Sequence, residues 1–430
     1  MAIPGAGLLA QADRELPGRG LPWLEQLRRE GRALFQERGI PTTSDEDWRF
    51  TDLRELVRAD FSSAPASHTT ATPSLPELGP EAHRLIFCAG ELQSTDPGSL
   101  PAGVRISSLA QALEEEPERL ASRLGSCAEQ KSRSLTALNS ALFRDGAVVE
   151  LEAGRHLEIP VHLVFVEPEG AEPVAVHPRN LIVAGDGSRL TLVEHYIGSG
   201  SGGGLTNAVS EILCGRHARV EHVVLQEQAR GSFHIAQLAV RQQEGSEFRQ
   251  HSIALGARLS RVDIECVLGE ERARAELLGI YLARDRQHVD HHTTIDHATP
   301  HTTSRELYKG ILDDRGRGVF HGRIHVRPDA QKADASQTNR TLLLSDRAQI
   351  NTKPQLEIYA DDVRCSHGAS VGQLNPDQLF YLRTRGIDRD AARAMLTLAF
   401  ASEVLSELPL DSLRAILEQR MAQWLSEETP

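Results

Sequence analysis

The chain has 430 residues, 40% hydrophobic but only 4% aromatic, so it can bury a large core that must be mostly aliphatic. Its formal charge of −13 argues against a nucleic-acid binder, which needs a basic surface to neutralise phosphates. The five cysteines, Cys88, Cys127, Cys214, Cys266 and Cys365, are widely spaced and form no CxxC, which fits a reducing cytosol rather than a disulfide framework.

In chain order, the first eighteen residues lack a basic stretch followed by a long apolar run, so no signal peptide is expected, and no window is apolar enough for a membrane span. Residues 21–60 read as helical: Trp23, Leu24, Leu27, Leu34 and Phe35 recur at helical spacing until Gly39 and Pro41. TSDEDW predicts a second short helix with Ser44 as N-cap and Asp47 three residues on. Together residues 1–61 form an N-terminal helical region, and 62–80, rich in Ser, Thr, Ala and Pro, has linker composition. Residues 81–145 read as a small α/β segment: strands at RLIFCAG and VRISSL, then a helix over LAQALEEEPERLASRLG. Cys88 falls in the first apolar run and is expected to be a buried structural thiol.

From residue 146 to 374 the pattern changes to short β-branched and aliphatic runs with period two, separated by GDGS, CGRHA, QEGS, GEER, DDRGRG and SDRAQ. In RVDIECVL, Val262, Ile264, Cys266 and Leu268 share one face. In SRLTLVEHY, Leu190 and Leu192 share a face with Glu194 and Tyr196. The class is mainly β. Sandwich, barrel and solenoid all satisfy the pattern. A parallel β-helix is favoured because the region is too long for one sandwich and its turns include few tight Asn-Gly or Asp-Gly hairpins. No residue repeat is visible. The glycine run 198–204 lacks a following Lys-Ser/Thr and reads as a loop or insertion rather than a phosphate cradle.

Residues 375–430 return to helix. Asn375 and Asp388 are placed to cap, and Leu413, Ile416, Leu417, Met421, Trp424 and Leu425 mark the last apolar stripe. These helices could close an open solenoid end or serve as a docking surface.

Two clusters carry candidate chemistry. QHVDHHTTIDHATPHTTS, residues 287–304, holds His288, His291, His292, His297 and His301 with Asp290 and Asp296. On a strand, His288, Asp290 and His292 share a face and could bind a metal, which would suit a free-standing metal-dependent β-helix enzyme. The plain alternative is a solvated polar face. His321 alternates with apolar neighbours and reads as a structural or surface residue. In DDVRCSHGAS, Cys365 and His367 are two apart, so an extended backbone puts both on one face as metal ligands, as a thiolate–imidazole pair, or as part of a strand end. Gly368 beside them suggests a special backbone position. Walker A, GxGxxG after a strand, GxSxG and paired CxxC motifs are all missing.

PHTTSRELYKGILDD (300–314), SQTNRTLLLSDRAQINTKPQLEIYADDVRCSHGASVGQL (336–374) and DQLFYLRTRGI (377–387) closely resemble the SufB/SufD family of iron–sulfur cluster assembly proteins. NTKPQLEIYADDVRCSHG and GIPTTSDEDWRFTDL (39–53) are similar to the SufD side of that family. The resemblance implies a right-handed parallel β-helix core between N-terminal and C-terminal helical regions. It implies a non-catalytic, cytoplasmic subunit that pairs with SufB through the β-helix and docks the ATPase SufC through the C-terminal region, with ATP bound by SufC. It also implies that a nascent iron–sulfur cluster forms transiently at the SufB interface, where His367 is the stronger candidate ligand and Cys365 auxiliary. A pure scaffold without a ligand role stays open, as does self-pairing of the isolated chain. Flavin association has been proposed for such complexes, and no flavin motif is visible here.

Overall fold

Side chains alternate across a strand, so a chain of short strands can put every second residue inside a tube. The computed structural model, which describes residues 6–9, 16–59, 61–63, 82–96, 98–128, 130–131, 133–167, 173–198 and 202–426, shows this arrangement. The protein is mainly β, a parallel β-solenoid of about seven turns with helical regions at both ends of the chain. Two sheets form its walls. Along the chain, strands alternate between them, so each strand pairs in parallel with the one a full turn away.

The inward positions stack in columns. In the first sheet, Ile182, Ile212, Val240, Cys266, Ile295, Ile324 and Leu356 sit in successive register. All but Leu356 are buried, which supports the packed role expected of Cys266. In the second sheet Phe87, Phe165 and Tyr196 stack at 5.1 and 4.8 Å between ring centres. Leu190, Leu192 and Tyr196 do face the core together, and Glu194 accepts the Tyr196 hydroxyl proton at 2.7 Å. Tyrosines and glycines alternate between neighbouring strands. Gly279 lies in register with Tyr308, and an added Cβ there would sit 2.2 Å from the Tyr308 ring.

The turn repeat left no visible sequence repeat because its length varies. Strands of the second sheet begin at Arg274, Thr303, Asp334 and Arg364, and the turns between differ in residues and length. What repeats is inward apolar character, not identity.

The first helix ends at Gly39 as expected, while two later helical expectations need correction. The helix Pro22–Arg38 stops where Gly39 takes a φ of 68°, and Arg54–Arg58 forms a separate short one. TSDEDW yields only a 3-10 turn, Glu46–Trp48, and Ser44 does not cap it. The Asp45 carboxylate instead accepts the Thr42 N–H at 2.7 Å, closing a local turn that competes with helix. The helix predicted from Leu109 divides into Leu109–Glu115 and Pro117–Leu120, because Pro117 has no N–H to continue the ladder. Strands His83–Cys88 and Val104–Ser108 form as expected, and Cys88 is buried. They join the two solenoid sheets, with Val104–Ser108 and Glu91–Asp96 pairing antiparallel at the outer edges. Most of the segment of linker composition, from residue 64 to 80, and residues 199–201 of the glycine run lie outside the described residues.

Asn375 and Asp388 cap the helices Pro376–Thr384 and Arg389–Leu405, accepting N–H groups of Asp377 (2.8 Å) and Ala391 (2.9 Å). The C-terminal helices do not close the solenoid end. Ala401, Val404, Leu405, Leu413, Leu417, Met421 and Trp424 pack on the outer face of the second sheet, against Leu278, Ile280, Leu307 and Ile311. That face carries an apolar stripe of its own, and the helices bury it.

Candidate functional site

The end rung of the solenoid is built from Gln349–Ile358 and Arg364–Gly372, the terminal strands of the two sheets. Each pairs on one side only. Among the described residues nothing pairs the free edge, so a row of backbone N–H and C=O groups faces outward. Burial changes abruptly here. Asp334–Leu343, one turn earlier, has buried alternate positions, whereas every residue of Arg364–Gly372 is exposed except half-buried Cys365. Ile358, Tyr359 and Val371 add exposed apolar surface, with Tyr359 61% exposed.

Cys365 and His367 sit on this rung, in register with Ala335 and Gln337. Those two are buried and inward, so both side chains continue inward columns at the point where the tube opens. The two columns differ in chemistry. Below Cys365 lie Ala335, Ser304 and Ala275, and Cys365 packs against a buried cluster that includes Ala333, Ala335 and Ala360. Partial burial and then Asp334 push the Cys365 thiol up, so it is protonated at neutral pH. Below His367 lie Gln337 and Glu306, both buried, with Gln337 Nε2 donating to Glu306 Oε2 at 2.6 Å. Burial pushes Glu306 up to about 7, while hydrogen bonds from Thr293 and Gln337 act the other way. Sequence reasoning missed Glu306 and Gln337, because finding them needs the register across variable turns. Gly368 is an ordinary strand residue: a Cβ there would meet nothing within 4 Å. The special backbone position expected of it is not found.

The histidine-rich segment forms the strand His288–His297. His291 and His297 face inward and are buried, and burial lowers both to about 4, so they are neutral. His288, Asp290 and His292 share the outward face as expected, but they do not form the predicted triad. Asp290 Oδ1 does lie 3.1 Å from His292 Nε2, but His288 turns to Thr51, so the three do not converge on one point. His288 Nε2 lies 2.9 Å from Thr51 Oγ1. Asp290 Oδ2 accepts from Thr51 Oγ1 (2.5 Å) and Arg261 Nη1 (2.9 Å). Burial opposes the charge on Asp290, yet His292 and Arg261 hold its carboxyl far below the usual range. Among the described residues, the three ligating groups that converge are Asp47, His292 and His321, with donor atoms within 4.8 Å of one another.

These features match a known family. Residues 165–400 match the SufBD core domain of the SUF system for iron–sulfur cluster assembly, and residues 7–163 match the SufBD protein N-terminal region. The chain belongs to the SufBD family of iron–sulfur cluster assembly proteins. It is 37% identical to an iron–sulfur cluster assembly SufBD family protein of Synechocystis, over 91% of this chain and 89% of that one. It is also similar to the iron–sulfur cluster assembly protein SufD of Escherichia coli, at 29% identity over 90% of each chain. The chloroplastic protein ABCI7 of Arabidopsis thaliana is 30% identical over 93% of this chain and 85% of its own. No helix among the described residues is long and apolar enough to cross a membrane.

Proposed function

We propose that this chain is the SufD-type, non-catalytic and cytoplasmic subunit of a SufB–SufC–SufD assembly. On this reading its open rung pairs with the SufB solenoid, and His367 with auxiliary Cys365 supplies part of the ligand set for a nascent cluster. The observation that carries the reading is an unpaired, exposed parallel rung at the C-terminal end of the stack, with a thiol and an imidazole at successive inward positions on it.

The chemistry follows from what the rung lacks. One imidazole and one thiol cannot fill the coordination of cluster iron, so a second protein must bring further donors. A partner adding its own strands would pair the free edges and cover Ile358, Tyr359 and Val371 in one step. Covering the rung also desolvates Cys365, which opposes the proton loss that ligation requires of it and makes the thiol the auxiliary group of the two. The cluster is cargo here, assembled and passed on.

The C-terminal helices supply the second contact. Phe380 (68% exposed) and Tyr381 lie on a helix with no buried residue, and Met395 is exposed on the next. Aromatic and methionine side chains held in solvent are docking groups, and SufC, which binds the ATP, is the partner assigned to them. With a formal charge of −13 and no basic run, nucleic acid is not a partner. The test is iron and acid-labile sulfide per complex after anaerobic co-purification with SufB and SufC. Loss of most iron and sulfide in an intact His367→Ala complex supports the ligand role. Normal loading by both His367→Ala and Cys365→Ser reduces the chain to a scaffold.

A further inference from the structure

We propose that Asp47, His292 and His321 form a binding site for a first-row divalent transition-metal ion, separate from the end rung, between the N-terminal segment and the outer face of the first sheet. The three bring one ligating atom each to within 4.8 Å of one another. Their origin is topological. His292 and His321 are register partners on adjacent strands, their rings 4.8 Å apart. That is the interstrand spacing, so both imidazoles reach one point without strain. Asp47 comes from the 3-10 turn Glu46–Trp48, which lies over the same strands.

Surrounding groups fix all three. Asp290 Oδ1 lies 3.1 Å from His292 Nε2 and makes no geometrically good hydrogen bond. That buried carboxylate lies against the imidazole and limits how the ring can turn. Gln355 Oε1 stands 3.5 Å from His321 Nε2. The turn is held by Arg261, whose Nη1 donates to the Asp47 carbonyl at 2.7 Å and whose guanidinium lies 3.7 Å over the Trp48 ring. Of the nearby cations, Arg261 is engaged with Asp263 and Asp290 and Lys353 with Glu46 at 3.1 Å, while exposed Arg323 shares the cavity lining with Asp47 and His321.

Two imidazoles and one carboxylate suit Zn2+ or Fe2+ rather than Mg2+ or Ca2+, which prefer all-oxygen sites. A cavity of about 750 Å³, lined by Asp47 and His321 but not His292 and shared with Arg261 and Arg323, gives water access to the Asp47 and His321 side. Bound metal would clamp residues 45–55 to the solenoid.

The test uses the full chain, without a polyhistidine tag, equilibrated with Zn2+ and assayed for bound metal. Co2+ absorption serves as a second probe of imidazole ligation. The site predicts about one Zn2+ per chain in the wild type and in a Cys365→Ser/His367→Ala double variant. It predicts an affinity loss of more than about 100-fold in His321→Ala and at least about tenfold in Asp47→Asn, whose side chain is exposed and whose change cannot unfold the chain. Absence of Zn2+ from the wild type, unchanged loading of either site variant, or loss of the ion in the end-rung double variant would each overturn the proposal.

Discussion

The two ends of the solenoid are finished in opposite ways. At the N-terminal end the parallel stack stops against antiparallel strands, Glu91–Asp96 and Val104–Ser108, with Leu109, Leu113, Leu120 and Leu124 packed beside Val148 and Leu181. At the C-terminal end the stack simply stops. Its last strands keep the register and inward columns of those before, yet almost nothing on them is buried. A parallel rung ending in bare edges resembles the middle of a longer sheet, and on the proposed reading a partner would supply the remainder. The lesson is that an exposed edge bearing ligating groups has to be read as half of something.

Substitutions that break the sealed body should cost most. Arg261 is buried between Asp263 and Asp290, donating to both, and also holds the Asp47 carbonyl. Arg261→Ala removes the guanidinium shared by two buried carboxylates, leaving Asp263 with Arg133 and Asp290 with Thr51 and His292, and is expected to destabilise the fold by about 3 kcal/mol, read as a lower denaturant midpoint. Ile295 stands mid-column, fully buried between Cys266 and Ile324. Ile295→Ala should cost about 2–5 kcal/mol by the same measurement.

Glu306 sharpens the comparison through pH. Burial holds its carboxyl near 7 in the folded chain against an ordinary 4.5. The folded state therefore keeps a proton that the unfolded state releases. This contribution is full below about pH 4.5 and is lost as pH rises through about 7. Between pH 5 and 8 the wild type should lose on the order of a few kcal/mol more than Glu306→Gln does, measured as unfolding free energy at the two pH values. A parallel pH dependence in the two proteins would place the Glu306 proton elsewhere.

The smallest effects on stability belong to the open end. Val371→Ala and Phe380→Ala change exposed side chains and should shift stability of the isolated chain by no more than about 0.5 kcal/mol. In binding assays they should separate: Val371→Ala weakening capture of SufB, and Phe380→Ala weakening capture of SufC. A variant that weakens neither partner removes its residue from the interface.

Much of this was legible in the sequence because it depends on local pattern. Period-two alternation marked Val262, Ile264, Cys266 and Leu268 as one face, and that face is in the core. Asn375 and Asp388 were readable as caps because an N-cap acts within three residues. The shortfalls come from distance along the chain. His321 reads as unremarkable until register sets it beside His292, and Asp47 until its own turn, far away in the chain, folds over both. The same limit hid Gln337 and Glu306 beneath His367, since turns of unequal length erase any fixed offset. The C-terminal helices misled for a different reason. Their apolar stripes predict burial but not the surface buried, and the outer face of the second sheet claims them.

The most direct test is hydrogen–deuterium exchange of the chain alone and in complex with SufB. The account predicts that backbone amides in 349–358 and 364–372 exchange quickly in the isolated chain and gain strong protection on binding, while those of Thr303–Leu312 are protected in both. Protection that appears elsewhere on the solenoid while 364–372 stays fast would contradict the half-site at the end rung.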